Sequence, residues 1–274
     1  SMTVFVVLPV HNRIEMTVQF LDSLANQTVD EQLEVIVIDD GSSDGTTARL
    51  AQSQYPFPMH ILHGNGRLWW GGSVWKALQW LRSRAKKDDW VFLANNDTVL
   101  DKECLECLLE TARTHPGALV GGRSFEVWPD GTLHPVSSGF TIDIERLTVE
   151  AIDGQAVATT SADALAGRGL LIPTAALTRT RMSPRLMPQH FADVALTSSL
   201  RRAGYQLLVD HRAESRQIDR AGSAVELGDS PRPSFNRKSA LYVPAVLTFW
   251  WQQYPPIKRP ALLTRVLRVA IQGR

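Results

Sequence analysis

Two stretches decide the fold of this chain: VFVVLPVHNR at residues 4–13 and VIVIDDGSSDGT at residues 35–46. Each is an apolar, β-branched run that leads directly into polar and acidic residues, as expected for a buried strand followed by a turn. Apolar residues recur at helical spacing over residues 15–25, so the unit is predicted to be strand, helix, strand. Open α/β sheets bind ligands at the carboxyl ends of such parallel strands. The residues predicted at that edge are Pro9, His11, Asn12, Asp39 and Asp40.

Further motifs follow in order along the chain. They are GNGRLWWGGSVWKAL (64–78), WVFLANNDTVL (90–100), GRGLLIP (167–173) and HFADVALTSSLRRAGYQLL (190–208). Together with Pro9–Asn12 and DDGSSDGT (39–46), they resemble the motifs of the family 2 glycosyltransferases of the GT-A fold. The resemblance covers roughly the first two hundred residues. It implies an α/β fold with a mostly parallel central sheet, flanking helices and a Rossmann-like nucleotide-binding half.

The resemblance also implies a division of the chain. Residues 1–230 would form the GT-A domain, with residues 1–99 binding the nucleotide-sugar and residues 100–230 forming the acceptor or catalytic half. The composition of GDSPRPS at 228–234 predicts a linker, and residues 231–274 are predicted to be a basic, aromatic-rich, amphipathic helical tail.

The NND segment is the predicted metal site. Family 2 enzymes bind a divalent metal, Mn²⁺ or Mg²⁺, through an Asp-x-Asp motif, so the resemblance assigns Asp97 as a metal ligand. Hard cations prefer oxygen ligands, and the metal neutralises the charge that develops on the departing diphosphate. Here Asn95 stands at the first motif position, which lowers the local negative charge. Without the other motifs, this segment would be a turn that caps the next helix. His211, after YQLLVD, resembles the late histidine that completes the metal or diphosphate site in many relatives; the alternative is a surface histidine after a strand.

The resemblance assigns the catalytic base to Asp193. An inverting displacement needs a carboxylate that takes the proton of the attacking hydroxyl. Relatives commonly carry Glu-Asp at the start of this helix, whereas this chain has Ala192 before Asp193. Without the resemblance, Asp193 would be an acid that favourably faces a helix N-terminus.

Nucleotide contacts are predicted at the strand ends. Backbone groups from Pro9 to His11 would hold the base, and one of Asp39 and Asp40 would face the nucleotide while the other caps the turn. Gly71 and Gly72 are predicted to precede a helix over 73–82 and to let the backbone approach the ligand. The remaining predicted nucleotide-binding residues are Asn12, Arg67, Asn95 and Asn96.

The LWWGG segment suggests a sugar subclass. Tryptophans beside glycines can stack on a sugar, and relatives that transfer deoxysugars such as rhamnose resemble this pattern. Trp69, Trp70 and Trp75 therefore favour a rhamnosyltransferase-like enzyme, although three neighbouring tryptophans are also typical of a core.

The tail differs from the rest of the chain in charge. From residue 232 onward the tail carries eight Lys and Arg and no Asp or Glu. Because the net charge of the whole chain is +1, the rest of the chain has a net charge of about −7. Basic residues with aromatic neighbours favour the surface of an anionic bilayer. The apolar run at 240–251 contains Pro244 and is too short to span a membrane. The alternative is packing on the catalytic domain or on a second subunit, as in a homodimer.

Composition limits the other classes of protein. The net charge of +1 gives no case for nucleic acid, and the CxxC of Cys104 and Cys107 has no second pair or flanking histidines to make a zinc site. Two core thiols in a reducing cytosol are favoured over a redox pair. No secretory signal is predicted, because the apolar start is a strand that ends at Pro9.

The resemblance therefore implies an inverting, metal-dependent glycosyltransferase. It would move rhamnose or another hexose from a UDP or dTDP donor to a hydroxyl of a glycan or lipid-linked acceptor. The reaction would serve bacterial lipopolysaccharide or polysaccharide synthesis, in the cytoplasm at the inner-membrane surface. A dinucleotide oxidoreductase is excluded, because G-x-G-x-x-G does not follow the first strand. The alternative that stays open is a catalytically silent nucleotide-sugar-binding module.

Overall fold

A computed structural model describes residues 2–136, 138–152, 158–219 and 235–272 of the chain. The described strands are β1 (Thr3–Val10), β2 (Gln32–Asp39), β3 (Met59–His63), β4 (Trp90–Leu93), β5 (Thr98–Leu100), β6 (Leu119–Val127), β7 (Leu133–Val136), β8 (Gly139–Asp143), β9 (Thr148–Ala151), β10 (Thr159–Ser161), β11 (Ala164–Leu165), β12 (Leu170–Pro173) and β13 (Leu207–Gln217). The α-helices are α1 (Ile14–Ala25), α2 (Thr46–Ala51), α3 (Trp69–Leu81), α4 (Cys104–Thr114), α5 (Ala192–Arg202), α6 (Val243–Gln253) and α7 (Arg259–Gln272).

The strands form one large mixed sheet in the order β10-β13-β6-β12-β4-β1-β2-β3, with β5 on β13 and β7 on β6. Its first half is parallel: β1 pairs with β2 and β4, and β2 pairs with β3. In the second half, β12 runs antiparallel to both β4 and β6, whereas β13 runs parallel to β6. A small sheet, β11-β8-β9, lies apart. The predicted α/β class with flanking helices is confirmed, and the parallel pairing predominates in its nucleotide-binding half.

Two apolar layers cover the two faces of this sheet. Successive side chains of a strand point to opposite faces, and every residue from Val4 to Leu8 is buried. Val4, Val6 and Leu8 join one cluster, with side chains of α1 and α4. Phe5 and Val7 join the other, with side chains of α3 and α5. A parallel sheet covered on both faces explains why these strands read as continuous hydrophobic runs.

Helix α3 begins four residues earlier than predicted, at Trp69. The cause is Asp40, whose carboxylate accepts the backbone N–H groups of Gly66 (2.7 Å), Leu68 (2.9 Å) and Trp69 (3.0 Å). An acceptor at this end supplies partners for N–H groups that the helix cannot bond itself. The two glycines therefore lie inside α3. A Cβ at Gly71 would stand 2.6 Å from the Met187 carbonyl oxygen, so this glycine lets α3 touch the segment before α5.

The tail contacts the catalytic part through α6. Phe249 is fully buried and packs in one apolar cluster with Ala192 and Trp250. Pro244 stands in the first turn of α6, where a missing N–H costs no hydrogen bond, so it starts the helix and does not interrupt it. The predicted linker 228–234 lies outside the described residues. Within the described part of the chain, no helix is both long and apolar enough to cross a bilayer.

The ring of Trp70 lies directly over Gly167, in the turn before β12. A Cβ at Gly167 would stand 2.2 Å from Cζ2 and 2.5 Å from Cη2 of that ring, closer than real atoms approach. The backbone N–H of Gly167 donates to Oδ2 of Asp193 at 2.9 Å. The absence of a side chain at this position therefore lets α3, the turn before β12 and the start of α5 meet.

Gly167→Ala is expected to destabilise the protein by about 1–3 kcal/mol, because the added methyl group must displace the Trp70 ring. Urea unfolding measures the change. Gly121→Ala is the matched control, since its Cβ would make only an ordinary contact of 3.4 Å with Leu165. Equal stability changes for the two variants would contradict the proposed steric role of Gly167.

Phe249→Ala is expected to lower the free energy of unfolding by about 3–5 kcal/mol, because it opens a cavity under α6. Leu247→Ala, on the same helix with 38% of its surface exposed, is expected to cost less than about 1 kcal/mol. Chemical denaturation followed by tryptophan fluorescence compares the two variants. A tail that folds apart from the domain would instead give a separate transition, and Phe249→Ala would leave the main transition unchanged.

Candidate active site

A cavity of about 360 Å³ opens at the carboxyl ends of β1 and β4. It is lined by the end of β1, the loop after β4, the turn before β12 and the start of α5. The lining residues are Pro9, Arg13, Trp70, Asn95, Asn96, Asp97, Gly167, Arg168, Gln189, His190, Phe191, Asp193 and Gln217. The structure thus brings together five predicted site residues: Pro9, Asn95, Asn96, Asp97 and Asp193.

The NND loop is held by contacts on both sides. Trp70 donates its indole N–H to Oδ1 of Asn95 at 3.1 Å, and Asn96 donates its side-chain amide to Thr17 at 3.1 Å. The backbone carbonyl of Asp97 accepts the N–H of Ile218 at 2.8 Å, just beyond β13. Asn95 lines the cavity, and its NH₂ group keeps its two N–H donors because the bond with Trp70 uses only the side-chain oxygen.

The environment of the Asp97 carboxylate suits a residue that binds a cation. Its Oδ1 is buried and has no hydrogen-bond partner in the described part of the chain. Burial raises the pKa of Asp97, whereas the charges of Arg13 and Arg168 lower it and the charge of Asp219 raises it. The effect of burial on the pKa exceeds that of the two arginine charges, so the site disfavours the charged form of Asp97.

The residues around Asp97 fit a divalent cation that also binds the substrate. Across residues 2–136, 138–152, 158–219 and 235–272, no three His, Cys, Asp or Glu side chains gather as a metal cluster. Mg²⁺, however, commonly uses only one or two carboxylates together with substrate phosphates. The partnerless oxygen of Asp97 offers one such ligand.

Asp193 lies in the first turn of α5 and lines the same cavity. Besides the N–H of Gly167, its carboxylate accepts the N–H of Val194 at 2.9 Å, on Oδ1. A carboxylate has about four lone-pair positions, so these two bonds fix its orientation and leave room for a substrate hydroxyl. Ala192 is 3% exposed and packs with Phe249. A Glu at position 192 would bury a charge under the tail, which explains the departure from Glu-Asp.

Asp39 and Asp40 both stabilise loops. Asp39 accepts the N–H of Ser42 at 2.9 Å and the hydroxyl of Thr47. Burial acts to raise the pKa of Asp39, but the hydrogen bonds of Ser42 and Thr47 outweigh it and lower the pKa. Asp40 binds the start of α3, as described above. Neither carboxylate is among the groups that line the cavity, so the expectation that one acid faces the nucleotide while the other caps the turn stays a prediction.

His11 and Asn12 connect the loops that follow β1 and β2. His11 Nδ1 lies 2.7 Å from the carbonyl oxygen of Asp40, and Asn12 accepts the N–H of Ser43 at 2.8 Å. The backbone N–H of Asn12 donates to the hydroxyl of Ser42 at 2.7 Å. Both residues lie at the predicted sheet edge but do not line the cavity, so their nucleotide contacts stay a prediction.

Three other predicted residues lie away from the cavity. Arg67 is exposed, and Gly72 is buried against Leu68. His211 lies in the middle of β13, with Nε2 2.9 Å from the hydroxyl of Thr160. Gln217, which lines the cavity, is six residues further along β13, and the register of β13 against β6 shifts between Val209 and Glu214. His211 is not among the residues that line the cavity, so its assignment as a metal ligand stays a prediction.

Two arginines of the cavity were not among the predicted residues. Arg13 follows the Pro-x-x-Asn segment, and its Nη1 lies 2.7 Å from Oδ2 of Asp219. Arg168 is the middle residue of GRG, and it lines the cavity between Gly167 and β12. The adjacency of each arginine to a recognised motif was the available signal. The sequence around these two arginines does not indicate which way their side chains point.

The family profile described as glycosyl transferase family 2 matches residues 5–164. Over 54 residues, the chain is 44% identical to the "Uncharacterized glycosyltransferase YfnE" of Bacillus subtilis (strain 168), a match that covers 20% of this chain and 14% of YfnE. Among solved structures, it is similar to GalNAc-T7 with UDP, GalNAc and Mn2+, with a TM-score of 0.66 and 12% identity over 80% of this chain and 44% of that one. It is also similar to S. aureus TarS 1-349 in complex with UDP, with a TM-score of 0.55 and 17% identity over 78% of this chain and 60% of that one.

The chain spans less than two thirds of the length of each of these proteins. At such low identities the two solved structures establish the fold alone, which is that of GT-A glycosyltransferases. The profile match, in contrast, covers more than half of the 274 residues. This chain belongs to glycosyl transferase family 2.

Proposed function

We propose that this protein transfers a hexosyl group from a nucleoside-diphosphate sugar to a hydroxyl acceptor, with inversion at the anomeric carbon. The observation that carries the proposal is a single cavity lined by both Asp97 and Asp193. One carboxylate has a buried, partnerless oxygen, and the other is fixed in orientation by two backbone N–H groups. These are the features expected of a cation ligand and of a positioned base, respectively.

In the proposed reaction, Asp193 accepts the proton of the acceptor hydroxyl. The hydroxyl oxygen forms a bond to the anomeric carbon while the bond from that carbon to the β-phosphate oxygen breaks, and the electron pair leaves with the diphosphate. Asp97 would hold Mn²⁺ or Mg²⁺, which supplies charge neutralisation at the departing diphosphate when bound. Asn95 and the N–H groups around the cavity orient the donor, so that little motion is needed during transfer.

UDP is the first donor nucleotide to test, because solved relatives of this fold were crystallised with it. We keep dTDP-rhamnose as the leading deoxysugar donor. Of Trp69, Trp70 and Trp75, only Trp70 is among the residues that line the cavity, and the ring of Trp75 lies 5.1 Å from the guanidinium carbon of Arg82. The stacking surface proposed for the sugar is therefore the ring of Trp70 alone.

The proposed acceptor is a bacterial cell-surface glycan or its lipid-linked precursor, reached at the inner face of the membrane. Two of the similar proteins are bacterial. The tail has two apolar faces: Phe249, Trp250 and Leu262 are buried, while others point to solvent. Up to residue 265, the exposed large apolar side chains of the tail are Phe235 (79%), Leu247 (38%), Trp251 (41%), Ile257 (89%) and Leu263 (49%).

Basic residues surround this exposed face. The guanidinium carbon of Arg259 lies 5.2 Å from the centre of the Trp251 ring, and Lys258 follows Ile257. Apolar side chains beside lysine and arginine suit an anionic bilayer surface, which attracts each basic residue by about 1 kcal/mol. The occupant that we propose for this face is such a bilayer.

Two variants test the proposed reaction, one through nucleotide binding and the other through turnover. Asp97→Asn is expected to abolish the Mn²⁺-dependent part of UDP or dTDP binding in calorimetric titrations. Asp193→Asn is expected to keep that binding and to lower turnover by about 10²–10⁴-fold. Turnover is measured as nucleoside diphosphate released from a panel of UDP- and dTDP-sugars. Asp97→Asn should be at least as stable as the wild type at pH 7, because burial disfavours the charge that it removes.

The outcomes of this experiment separate the alternatives. A wild-type protein that binds neither nucleotide with or without Mn²⁺ contradicts the transferase proposal. Normal binding without turnover, unaffected by Asp193→Asn, favours the silent binding module instead. Turnover that survives Asp193→Asn removes this residue from the role of base.

Vesicle co-sedimentation tests the membrane proposal. The protein is expected to bind vesicles that contain phosphatidylglycerol and not neutral ones, with weaker binding in high salt. Lys258→Gln should weaken the binding about fivefold and Ile257→Ser about tenfold. The control is Leu133→Ser, an exposed apolar residue of β7. A dimer in solution with no affinity for vesicles would identify this face as a subunit interface.

A further inference from the structure

The cavity contains two guanidinium groups that approach Asp97 from different parts of the fold. Arg13 extends from the end of β1, at the N-terminus of α1. Arg168 extends from the turn before β12, on the strand next to β4. Both arginines line the cavity, and the charges of both act on Asp97. A buried carboxylate that shares one cavity with two arginines resembles an anion site more than a site for a neutral sugar alone.

Arg168 connects the two carboxylates of the proposed reaction. Burial lowers the pKa of Arg168, and the charges of Asp193, Asp97 and Glu126 raise it. An arginine stays charged at neutral pH, so the cavity holds a desolvated cation on which both the residue proposed to bind the metal and the residue proposed as base act. The diphosphate and the sugar of a donor would occupy this same space.

Arg13 is placed by an unusual backbone. Asn12 and Arg13 both have left-handed φ angles, 56° and 60°, which are uncommon for residues other than glycine. The contacts of Asn12 with Ser42 and Ser43 hold this turn. The turn directs Arg13 to Asp219, whose side chain is only 13% exposed. Strained backbone that is held by neighbouring contacts is typical of functional positions.

An arginine side chain has enough N–H donors to contact a carboxylate and a phosphate at the same time. A guanidinium has five N–H donors in a planar fork, so it can keep a carboxylate on one edge and bind a phosphate on the other. The amide NH₂ of Asn95 adds a further donor, since Trp70 occupies the oxygen. Asn95 also removes one negative charge that an Asp at this position would bring near the phosphates.

We propose that Arg13 and Arg168 form a guanidinium clamp that binds the diphosphate of the donor beside Asp97. This inference rests on the proposed function and deepens it. The clamp assigns the diphosphate contacts to these two residues and not to Arg67, which is exposed and lies outside the cavity lining. It gives the site an affinity for diphosphate that does not depend wholly on the metal.

Calorimetric titration with UDP and with inorganic pyrophosphate, each with Mn²⁺ and with EDTA, tests the clamp. The wild type is expected to bind UDP with Mn²⁺ and to retain weaker binding of both probes in EDTA. Arg13→Gln and Arg168→Gln are each expected to weaken binding about 10- to 100-fold under both conditions, the effect of one charge-assisted contact. Arg49→Gln, an exposed arginine of α2, is the matched control and should change nothing.

Lysine variants separate the clamp from a purely structural ion pair. Arg13→Lys and Arg168→Lys keep the charge and the pairing with carboxylates, but they lose the planar fork. We expect them to fold, as judged by circular dichroism and thermal unfolding, and to bind UDP more weakly than the wild type. Folded lysine variants with wild-type affinity would overturn the clamp, as would a loss of binding in Arg67→Gln with none in Arg168→Gln.

Failure of the clamp and failure of the proposed function give different results. If the wild type binds UDP with Mn²⁺ while the glutamine variants bind equally well, the clamp is wrong and the transferase proposal stands. If the wild type binds neither probe under any condition, both proposals fall.

Discussion

The arrangement of the site depends on one buried carboxylate. Asp40 accepts three backbone N–H groups of the segment Gly66–Trp69, and this fixes where α3 begins. The start of α3 in turn sets the position of Trp70, whose indole N–H holds Asn95 and whose ring lies over Gly167. Gly167 then donates to Asp193. Buried polar groups cost free energy when they lack partners, so each contact in this series constrains the next.

Features that depend on neighbouring residues could be predicted from the sequence, whereas contacts between residues far apart in the sequence could not. Strands β1, β2 and β4 and helix α1 follow from local patterns, whereas Asp97 and Asp193 were assigned from the resemblance to family 2 motifs. The partner of Asp40 lies 26 to 29 residues away, and that of Gly167 lies 26 residues away. His211 shows the limit most clearly. It lies in β13 where the register against β6 shifts between Val209 and Glu214, an irregularity that the motif around it does not predict.

The tail illustrates how composition can predict a helix but not its two faces. Apolar residues of α6 and α7 are too numerous to share one side, and the structure divides them between α5 and solvent. This packing also bears on the site. Because Ala192 lies beneath Phe249 and Tyr242, the helix that carries Asp193 is fixed at its first turn by the tail. The small residue before the proposed base is thus explained by packing. A comparison of motifs alone would interpret the same residue as the loss of a catalytic group.

Charge balance explains why the metal and the two arginines would act together. Each arginine already faces carboxylates, Arg13 with Asp219 and Arg168 with Asp97 and Asp193. Without a cation, an incoming diphosphate would meet carboxylates that compete for the same N–H donors. A divalent ion on Asp97 would neutralise one of those competitors, and the arginines could then turn free donors towards phosphate. The metal would therefore strengthen the contacts made by Arg13 and Arg168, so their contributions to donor binding should be coupled and not additive.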